Sequence, residues 1–341
     1  MRAVRLYAPG DMRFEEAPRP EPGPGEVLIR VRAAGLCRSD IHFYLGHLGP
    51  LAKSPVIMGH EGAGVVEEVG PGVEDLSEGD RVCVHYVLSC WECEYCLTGR
   101  DNICERIRCL GFEEDGTFAE YVRIPARNAV KVEGPVPFDQ LAITGCAVVT
   151  PFHAARMAGL KPGESVAVFG IGGVGIHALQ VAKLFGASRL IAIDIADYKL
   201  RVAEEVGADL AVNAASEDPI EAIRRGTGGR GVDVCFVCVG ARKAVEQALR
   251  CVKTGGRVIL VGYCTQPIQV DAMDFLSREL QLRTSIEHTL SDLRTVVGLV
   301  EKGLLDPSLA ITHRLPLGRV EEAFSMMEEG KGEPIKIVLI P

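Results

Sequence analysis

Four cysteines near residue 100 carry the spacing of a metal site, C-x2-C-x2-C-x7-C: Cys90, Cys93, Cys96 and Cys104. Four thiolates at this spacing can surround a zinc ion tetrahedrally and leave no open position, which is typical of a structural site. An iron–sulfur cluster takes the same ligands, but no Cys-Pro follows the last cysteine and the spacing is not that of a ferredoxin. Charged neighbours such as Glu92 and Asp101 argue against a cluster of core thiols. We therefore predict a structural zinc in a surface lobe.

A glycine-rich turn follows the apolar run Val166–Phe169 and precedes a segment with helical spacing of apolar residues. Its sequence, Gly170-Ile-Gly172-Gly173-Val174-Gly175, matches the G-x-G-x-x-G pattern of dinucleotide-binding turns. In that pattern the first glycine permits a tight turn, the second lets the backbone approach a pyrophosphate, and the last allows close contact between helix and strand. Asp194 ends the next strand, where a carboxylate can bind ribose hydroxyls and repel a 2′-phosphate. NAD is therefore predicted over NADP.

Two further segments place potential metal donors on glycine-rich bends. Cys37 follows Gly35-Leu36, and His60 lies in Gly59-His-Glu-Gly62. Taken alone, either residue would more often be structural than a ligand. The pair in Cys235-Phe-Val-Cys238 lies inside an apolar strand, which cannot fold back around an ion, so we interpret it as core packing.

Length and composition limit the classes of protein. A chain of 341 residues predicts two domains. No apolar run approaches the ~18 residues of a membrane span, and the first residues lack the apolar region of a secretory signal. A net charge of −9 without a block of Lys or Arg excludes a surface that tracks phosphates. We expect a cytoplasmic protein with neither nucleic acid nor membrane as partner, in which the twelve cysteines stay reduced.

The pattern of elements changes along the chain. The first ~145 residues alternate short β-like runs with Gly/Pro turns, for example Val65–Val69 and Arg81–Val87. From Lys161 short apolar strands alternate with helix-length segments. The predicted strands are Ser165–Phe169, Leu190–Asp194, Leu210–Asn213, Val232–Val239 and Arg257–Val261. The predicted helices between them are Gly175–Phe185, Asp197–Val206, Pro219–Arg225 and Arg242–Val252. This alternation predicts an α/β fold with an open, doubly wound parallel sheet.

With these motifs in place, the chain resembles the zinc-dependent alcohol dehydrogenases of the medium-chain dehydrogenase/reductase superfamily. The resemblance extends from Cys37 through Gly-His-Glu, the cysteine lobe and the glycine turn to Asp306-Pro-Ser-Leu-Ala-Ile-Thr-His313. It implies a mainly β, GroES-like catalytic domain at residues 1–147, with the zinc lobe at 88–106. A Rossmann NAD domain would follow at 148–287, and residues 288–341 would return to the catalytic domain.

The resemblance also implies a catalytic zinc, held by Cys37, His60 and Cys146 with Glu61 beside it. Cys146 stands where polyol and threonine relatives carry a glutamate, so the chain is similar to an alcohol dehydrogenase at this position. Two thiolates and an imidazole leave the zinc one open position, which would bind an alcohol or polarise a carbonyl. The implied reaction is reversible hydride transfer between the alcohol carbon and nicotinamide C4, giving an aldehyde or a ketone.

By the same resemblance, Ser39 takes the alcohol proton and passes it through the nicotinamide ribose to His42, and Asp40 orients a zinc ligand. The implied cofactor contacts are Arg38, Thr150, Val174, Lys199 and Lys336, together with Gly170, Gly172, Gly173, Gly175 and Asp194. Lys336 replaces an arginine that many relatives place on the pyrophosphate, which leaves cofactor affinity open. Tyr86 would line the substrate pocket. A structural role is favoured for the remaining histidines, His47, His85, His153, His177, His288 and His313.

Two alternatives remain at this stage. Another zinc dehydrogenase of the superfamily, acting on a polyol, sugar or hydroxyacyl substrate, would share nearly all of these motifs. A non-catalytic NAD-binding structural protein would have no need for Cys37, Ser39, His42, His60 and Cys146 together. The resemblance further implies a homo-oligomer, a tetramer rather than a dimer.

Overall fold

The computed structural model describes all residues from Met1 to Pro341. Its internal contacts divide the chain into two units, one formed by Met1–Val149 with Glu287–Pro341 and the other by Thr150–Ile286. The boundaries predicted from the sequence were 147/148 and 287/288. One unit is therefore continuous in sequence and is inserted into the other.

The N-terminal part of the chain consists mainly of strands. The strands are β1 (Arg2–Ala8), β2 (Asp11–Glu16), β3 (Glu26–Leu36), β4 (Val56–Ile57), β5 (Glu61–Val69), β6 (Arg81–Val84), β7 (Val87–Leu88), β8 (Arg108–Cys109), β9 (Tyr121–Pro125) and β10 (Ala129–Lys131). The helices are α1 (Arg38–Tyr44), α2 (Glu94–Leu97) and α3 (Phe138–Ile143), with 3₁₀ turns at Asp101–Ile103 and Ala126–Asn128 and a π-helical turn at Thr144–Val148.

The inserted unit alternates strands and helices. The strands are β11 (Ser165–Phe169), β12 (Arg189–Asp194), β13 (Leu210–Asn213), β14 (Val232–Val237), β15 (Val252–Leu260) and β16 (Gln281–Thr284). The helices are α4 (Val149–Ala158), α5 (Gly173–Leu184), α6 (Asp197–Val206), α7 (Pro219–Gly226), α8 (Arg242–Cys251) and α9 (Ala272–Ser277).

The C-terminal part completes the first unit. It contains α10 (Leu290–Glu301), β17 (Ile311–Pro316), α11 (Val320–Glu329) and β18 (Lys336–Ile340), with 3₁₀ turns at Pro307–Ala310 and Leu317–Arg319. The C-terminal strand β18 pairs antiparallel with β3, so the two ends of the chain share one sheet.

The first unit is organised around a seven-stranded sheet in the order β10-β6-β5-β3-β18-β17, with β9 also paired to β3. Helix α3 packs against β3 and β5. The core of this unit includes the fully buried Leu36, Met58 and Phe118. A strand predicted at Arg81–Val87 is divided in the structure, because His85 and Tyr86 lie between β6 and β7.

The inserted unit contains a six-stranded parallel sheet in the order β13-β12-β11-β14-β15-β16. In order along the unit this is 3-2-1-4-5-6, the Rossmann arrangement, whose strand order reverses beside the first strand. Apolar residues bury both faces of the central strands: Ala167 and Ile191 are register partners on one face, Val168 and Ala192 on the other, and all four are fully buried. The predicted α/β class and doubly wound parallel sheet are confirmed. Helix α9 and edge strand β16 are not among the predicted elements.

Helix α3, the π-helical turn and α4 form one helical stretch, Phe138–Ala158, that is long and apolar enough to cross a membrane by length and composition. Polar residues such as Thr144 and His153 interrupt it, so it contains no continuous apolar run of that length. Of its most apolar window, 83% is buried inside the protein, as in the core helix of a soluble protein.

Candidate metal centres and dinucleotide turn

Four buried donors from three separate segments converge in the first unit. They are Cys37 at the start of α1, His60 and Glu61 at the start of β5, and Cys146 in the π-helical turn. One ligand atom from each lies within 4.8 Å of the others. Since Cys37 and Cys146 are 109 positions apart, only the tertiary fold brings these donors together.

Glycines allow the bends that carry these donors to approach each other. A Cβ on Gly35 would lie 2.0 Å from Glu61 Oε2, and a Cβ on Gly59 would lie 2.2 Å from the Phe118 ring. Gly59 also adopts a φ of +89°, which side chains disfavour. The glycine-rich character of both segments is therefore required by packing around the donors.

A glycine also allows close packing in the π-helical turn that carries Cys146. A Cβ on Gly145 would approach the Val84 carbonyl to 2.8 Å, so the turn lies directly on the end of β6. The Thr144 hydroxyl donates a hydrogen bond to the Gln140 carbonyl at 2.7 Å. Single π turns inside α-helices frequently occur at functional sites, and this one carries Cys146.

Asp40 connects two of the donors. Its Oδ1 lies 2.9 Å from His60 Nδ1, and its Oδ2 accepts the Cys37 amide at 2.8 Å. The carboxylate is 1% exposed, so the ring of His60 is fixed with Nε2 left for a ligand bond. Ser39 lies beside this group, with its Oγ 3.8 Å from Cys37 Sγ.

Two of the four donors, Cys37 and His60, favour their charged forms without a metal. A hydrogen bond from Cys146 and the charge of Lys336 hold the pKa of Cys37 well below its usual range despite burial. Burial lowers the pKa of His60, but the charge and hydrogen bond of Asp40 outweigh it and the pKa lies well above its ordinary value. The Cys37 thiolate is the form that binds a cation, whereas the imidazolium of His60 would have to release its proton when a metal binds.

Glu61 forms an ion pair with Lys336 from β18. Lys336 Nζ donates to Glu61 Oε1 at 2.5 Å, and both side chains are buried. Burial raises the pKa of Glu61 to about 7, although Lys336 lowers it. The family resemblance predicts that Lys336 contacts a cofactor phosphate. The structure instead places its amine on a carboxylate of the donor cluster, so that assignment stays a prediction.

The chemistry of the donor set at Cys37, His60 and Cys146 matches zinc. Two thiols and an imidazole are the Cys₂His set of catalytic zinc sites with one open position. Glu61 Oε2 is buried without a hydrogen-bond partner, as expected for a carboxylate that lies next to a cation. The residues present therefore fit zinc.

Tyr86 lies next to the donor cluster, with its ring edge-on to His60 at 4.8 Å between centroids. Its hydroxyl donates a short hydrogen bond to the Glu287 carboxylate. Behind it, His85 Nδ1 lies 3.1 Å from His288 Nε2. Sequence reasoning missed Glu287 and the contact between the two histidines, because about 200 residues separate the partners and no local pattern marks such a contact.

The four lobe cysteines form the second donor cluster, again within 4.8 Å of one another. Cys93 Sγ lies 3.6 Å from Cys96 Sγ and 3.9 Å from Cys104 Sγ, and Cys90 lies 3.9 Å from Cys96. A zinc–sulfur bond of 2.3 Å gives tetrahedral edges of about 3.8 Å. The sulfur positions therefore fit one zinc ion.

Backbone amides stabilise negative charge in this lobe. The Glu92 and Cys93 amides donate to Cys90 Sγ, and these bonds and others lower the Cys90 pKa to about 6. The Cys90 amide in turn donates to Cys104 Sγ at 3.2 Å. Trp91 takes a φ of +62° between the first two cysteines, a conformation uncommon for a non-glycine residue.

The glycine-rich turn connects β11 to α5 in the inserted unit. Gly170 has a φ of +90°, and a Cβ on Gly175 would lie 2.0 Å from the Gly170 carbonyl oxygen. By contrast, a Cβ on Gly172 would meet no protein atom within 4 Å. Gly172 precedes the first residue of α5, Gly173, and no side chain caps this N-terminus. Free amides and open space at the start of a helix fit a bound phosphate.

Asp194 ends β12 next to this turn. Its Oδ2 accepts the Ile171 amide at 2.7 Å, and its Oδ1 accepts the Ile195 amide at 2.8 Å. Lys199 Nζ lies 3.9 Å from Oδ1. Both oxygens of this carboxylate therefore accept backbone amides directly beside the glycine-rich turn.

The other predicted cofactor contacts are distributed over both units. Val174 lies in the first turn of α5, and Thr150 in the first turn of α4. Arg38 begins α1 in the first unit, where its guanidinium donates to the Met327 carbonyl at 3.0 Å.

Comparisons with known proteins agree with these features. The model of the alcohol dehydrogenase GroES-like domain matches residues 23–134, and that of zinc-binding dehydrogenases matches residues 173–302. An alcohol dehydrogenase of Geobacillus stearothermophilus is 36% identical over 94% of both chains. The L-threonine 3-dehydrogenase of Thermococcus kodakarensis is 38% identical over 94% of this chain and 92% of its own.

Among solved structures, a Sinorhizobium meliloti protein bound to NADP superposes with a TM-score of 0.94 at 32% identity, covering 100% of this chain and 99% of its own. The match therefore includes both units. The protein is an oxidoreductase, and the chain belongs to the zinc-dependent alcohol dehydrogenases of the medium-chain dehydrogenase/reductase superfamily.

Proposed function

We propose that this protein is an NAD-dependent zinc alcohol dehydrogenase that interconverts a primary or secondary alcohol with the corresponding aldehyde or ketone. The observation that carries the proposal is the convergence of Cys37, His60 and Cys146, with Glu61 beside them. A protein that only bound a dinucleotide would have no use for such a buried, charged cluster, since burying charge without a partner is costly.

Cys37, His60 and Cys146 would hold the catalytic zinc. When bound, the zinc acts as a Lewis acid that acidifies an alcohol or polarises a carbonyl, and the nicotinamide exchanges the hydride. Asp40 keeps His60 in one tautomer and orientation through the 2.9 Å contact to its Nδ1. Lys336 holds Glu61 through Oε1, which keeps this carboxylate adjacent to the other donors.

The alcohol proton must leave the site. Ser39 lies beside Cys37, and we assign it as the first acceptor of that proton. His42 follows one turn later on α1 and is half-buried, so it can carry the proton outward.

The second zinc would be structural, held by the four lobe cysteines. The lobe contains only a four-residue helix, α2, and a 3₁₀ turn, and one of its few large apolar side chains, Leu97, is 73% exposed. Such a segment cannot stabilise itself by burial, so a metal would replace a core.

NAD is proposed over NADP because Asp194 places a carboxylate beside the glycine turn, where it would repel a 2′-phosphate. Gly170, Gly172, Gly173 and Gly175 shape the pyrophosphate site, and Lys199 supports the ribose contact. We assign the nicotinamide contacts to Thr150 and Val174 and a phosphate contact to Arg38.

For the substrate, Tyr86 is proposed to line the pocket because its ring lies against His60. A second candidate, an L-threonine or polyol dehydrogenase, is favoured by the 38% identity to a threonine dehydrogenase. Cys146 argues for the alcohol branch by the family resemblance, which implies a glutamate at this position in polyol and threonine dehydrogenases.

The test combines metal content with turnover. NADH absorbance is followed with a panel of alkanols, diols, sugar alcohols and L-threonine, with NAD and with NADP, and zinc is counted per chain. We expect two zinc ions per chain and turnover of simple alcohols with NAD. Preference for L-threonine or a polyol would select the second candidate. One zinc ion per chain and no NADH formation with any of these substrates would indicate a non-catalytic NAD-binding protein.

None of the twelve cysteines is paired in a disulfide, which supports residence in a reducing compartment, and we propose the cytoplasm. We further propose a homo-oligomer, a tetramer rather than a dimer. Light scattering coupled to size-exclusion chromatography measures this directly, and a mass of about 37 kDa, that of one chain, would contradict it.

A further inference from the structure

The end of α1 places a second histidine against His42. Gly46 follows the helix with a φ of +74°, and its amide donates to the Phe43 carbonyl at 3.0 Å. The next amide, that of His47, donates to the His42 carbonyl at 2.8 Å. These two bonds form a Schellman motif at the C-terminus of α1. The motif holds His47, the residue after Gly46, next to His42, the third residue from the end of the helix.

In Schellman motifs the two positions brought together frequently carry apolar side chains. Here both are histidines, and their imidazoles are in contact. His42 Nδ1 lies 3.2 Å from His47 Nδ1, with the ring centroids 5.5 Å apart. Because a hydrogen bond needs one donor and one acceptor, the two Nδ1 atoms share one proton.

The two histidines differ in their exposure to solvent. His42 is half-buried, whereas His47 is exposed. Burial lowers the pKa of His42, and so do the charges of His47 and Arg38, while Cys37 raises it. A proton that reaches His42 is therefore passed on readily, and the group adjacent to it is the imidazole of His47.

We propose that His47 is the outer member of a two-histidine proton relay that delivers the alcohol proton to solvent. The proposal rests on the proposed function, in which His42 receives that proton. His42 takes it on Nε2 while its Nδ1–H bond breaks and an N–H bond forms on His47 Nδ1. His47 then loses its Nε2 proton to water. One proton enters, one leaves, and each ring ends neutral, in its other tautomer. Proton exchange with water restores the original tautomers, since each ring loses a proton from one nitrogen and gains one on the other with no net change.

The test uses His47→Ala and His47→Gln in the zinc-loaded enzyme, with His313→Ala as the matched control because His313 lies in β17, outside the donor clusters. Single-turnover experiments record NADH formation by absorbance and proton release by a pH indicator, from about pH 6 to about pH 8. Single turnovers separate these steps from product release.

We expect both His47 variants to release the proton about tenfold more slowly than the wild type near pH 7, a part of the 10²–10⁴-fold effect of general acid–base catalysis. Substrate KM should change less than about twofold, and about 100 mM imidazole should restore most of the rate. A glutamine at position 47 can fill the space of the imidazole but cannot relay a proton. Slow proton release in His47→Gln therefore separates a role in proton transfer from a role in packing.

Unchanged proton release in both variants, or a loss that imidazole does not restore, would overturn the relay. If the wild type forms NADH from alcohols and the His47 variants release the proton as fast as it does, only the role of His47 is refuted. A wild-type enzyme that forms no NADH with any alcohol refutes the proposed function, and the relay with it.

Discussion

Asp40 organises the donor cluster at the level of single residues. One carboxylate oxygen contacts His60 and the other accepts the amide of Cys37, so a side chain that binds no metal itself couples two segments. Helix α1 begins at Arg38, which places Asp40 in its first turn, where an acidic residue also interacts favourably with the helix dipole.

We expect Asp40→Asn to weaken retention of the catalytic zinc by about 10–100-fold, because the amide supports the imidazole less well. Zinc content after dialysis against a chelator measures the effect. Asp11→Asn is the control, since Asp11 is exposed and paired with Arg13. Equal zinc retention in Asp40→Asn and the wild type would contradict the role of Asp40.

The proposed preference for NAD over NADP also depends on a single residue, Asp194. Asp194→Gly removes the carboxylate that is proposed to face the ribose, so we expect the ratio of kcat/KM with NAD to that with NADP to fall at least tenfold, about 1.4 kcal/mol. The measurement compares both cofactors with one alcohol. Asp197→Gly, three residues later, controls for the change of backbone freedom. An unchanged ratio would show that another group recognises the ribose.

At the scale of elements, the turn between β11 and α5 contains two glycines with different requirements. Gly175 is confined by the Gly170 carbonyl, whereas Gly172 faces open space. A methyl group on Gly175 must displace protein atoms, whereas a methyl group on Gly172 can only displace a ligand.

We therefore expect Gly175→Ala to lower the free energy of unfolding by about 1–3 kcal/mol through overpacking. Gly172→Ala should unfold like the wild type but bind NAD at least tenfold more weakly, since the methyl group would occupy the pyrophosphate position. Thermal unfolding and NAD titration measure the two effects. If both variants bound NAD as tightly as the wild type, this turn would be excluded as the cofactor site.

The cysteine lobe and the donor cluster are expected to differ in what their metals do. Cys90→Ser removes a ligand from a segment without its own core, so it should lower the Tm more than His60→Ala. His60→Ala should abolish turnover. Differential scanning calorimetry and alcohol oxidation, each with zinc content, measure both. The reverse pattern would contradict the division into a structural and a catalytic zinc.

At the scale of the whole first unit, Asp101 connects the cysteine lobe to α10. Its carboxylate accepts the Leu290 amide at 2.9 Å and lies 3.8 Å from His85 Nε2. Burial raises the pKa of Asp101, but His85 and the Leu290 amide outweigh it, and the pKa lies below its ordinary value. Burial lowers the pKa of His85.

Both shifts predict loss of stability in acid. A depressed Asp101 pKa contributes stability that is present above the unfolded value of 3.8 and is lost as pH falls through the folded value. His85, whose pKa is also depressed, begins to destabilise the fold below 6.5, where the unfolded state takes up a proton. Urea unfolding of the wild type and Asp101→Asn at several pH values tests this.

We expect Asp101→Asn to cost about 1–3 kcal/mol at neutral pH and progressively less below about pH 4. Asp115→Asn, at an exposed ion pair with Lys53, is the control. A difference that did not shrink in acid would show that the carboxylate charge of Asp101 does not contribute.

The amino-acid sequence determined the chemistry and the local elements of this protein. The cysteine spacing, the glycine turn and the apolar strands are local patterns, and the parallel sheet formed at β11–β15 close to the predicted positions. Tertiary structure decided the pairings between distant residues: Glu61 with Lys336, His85 with His288, and Cys37 with Cys146. No sequence period encodes such contacts, because they depend on how strands from both ends of the chain join one sheet. The contact of His42 with His47 lies between these cases, since Gly46 indicates the turn but only the folded helix end brings the two rings together.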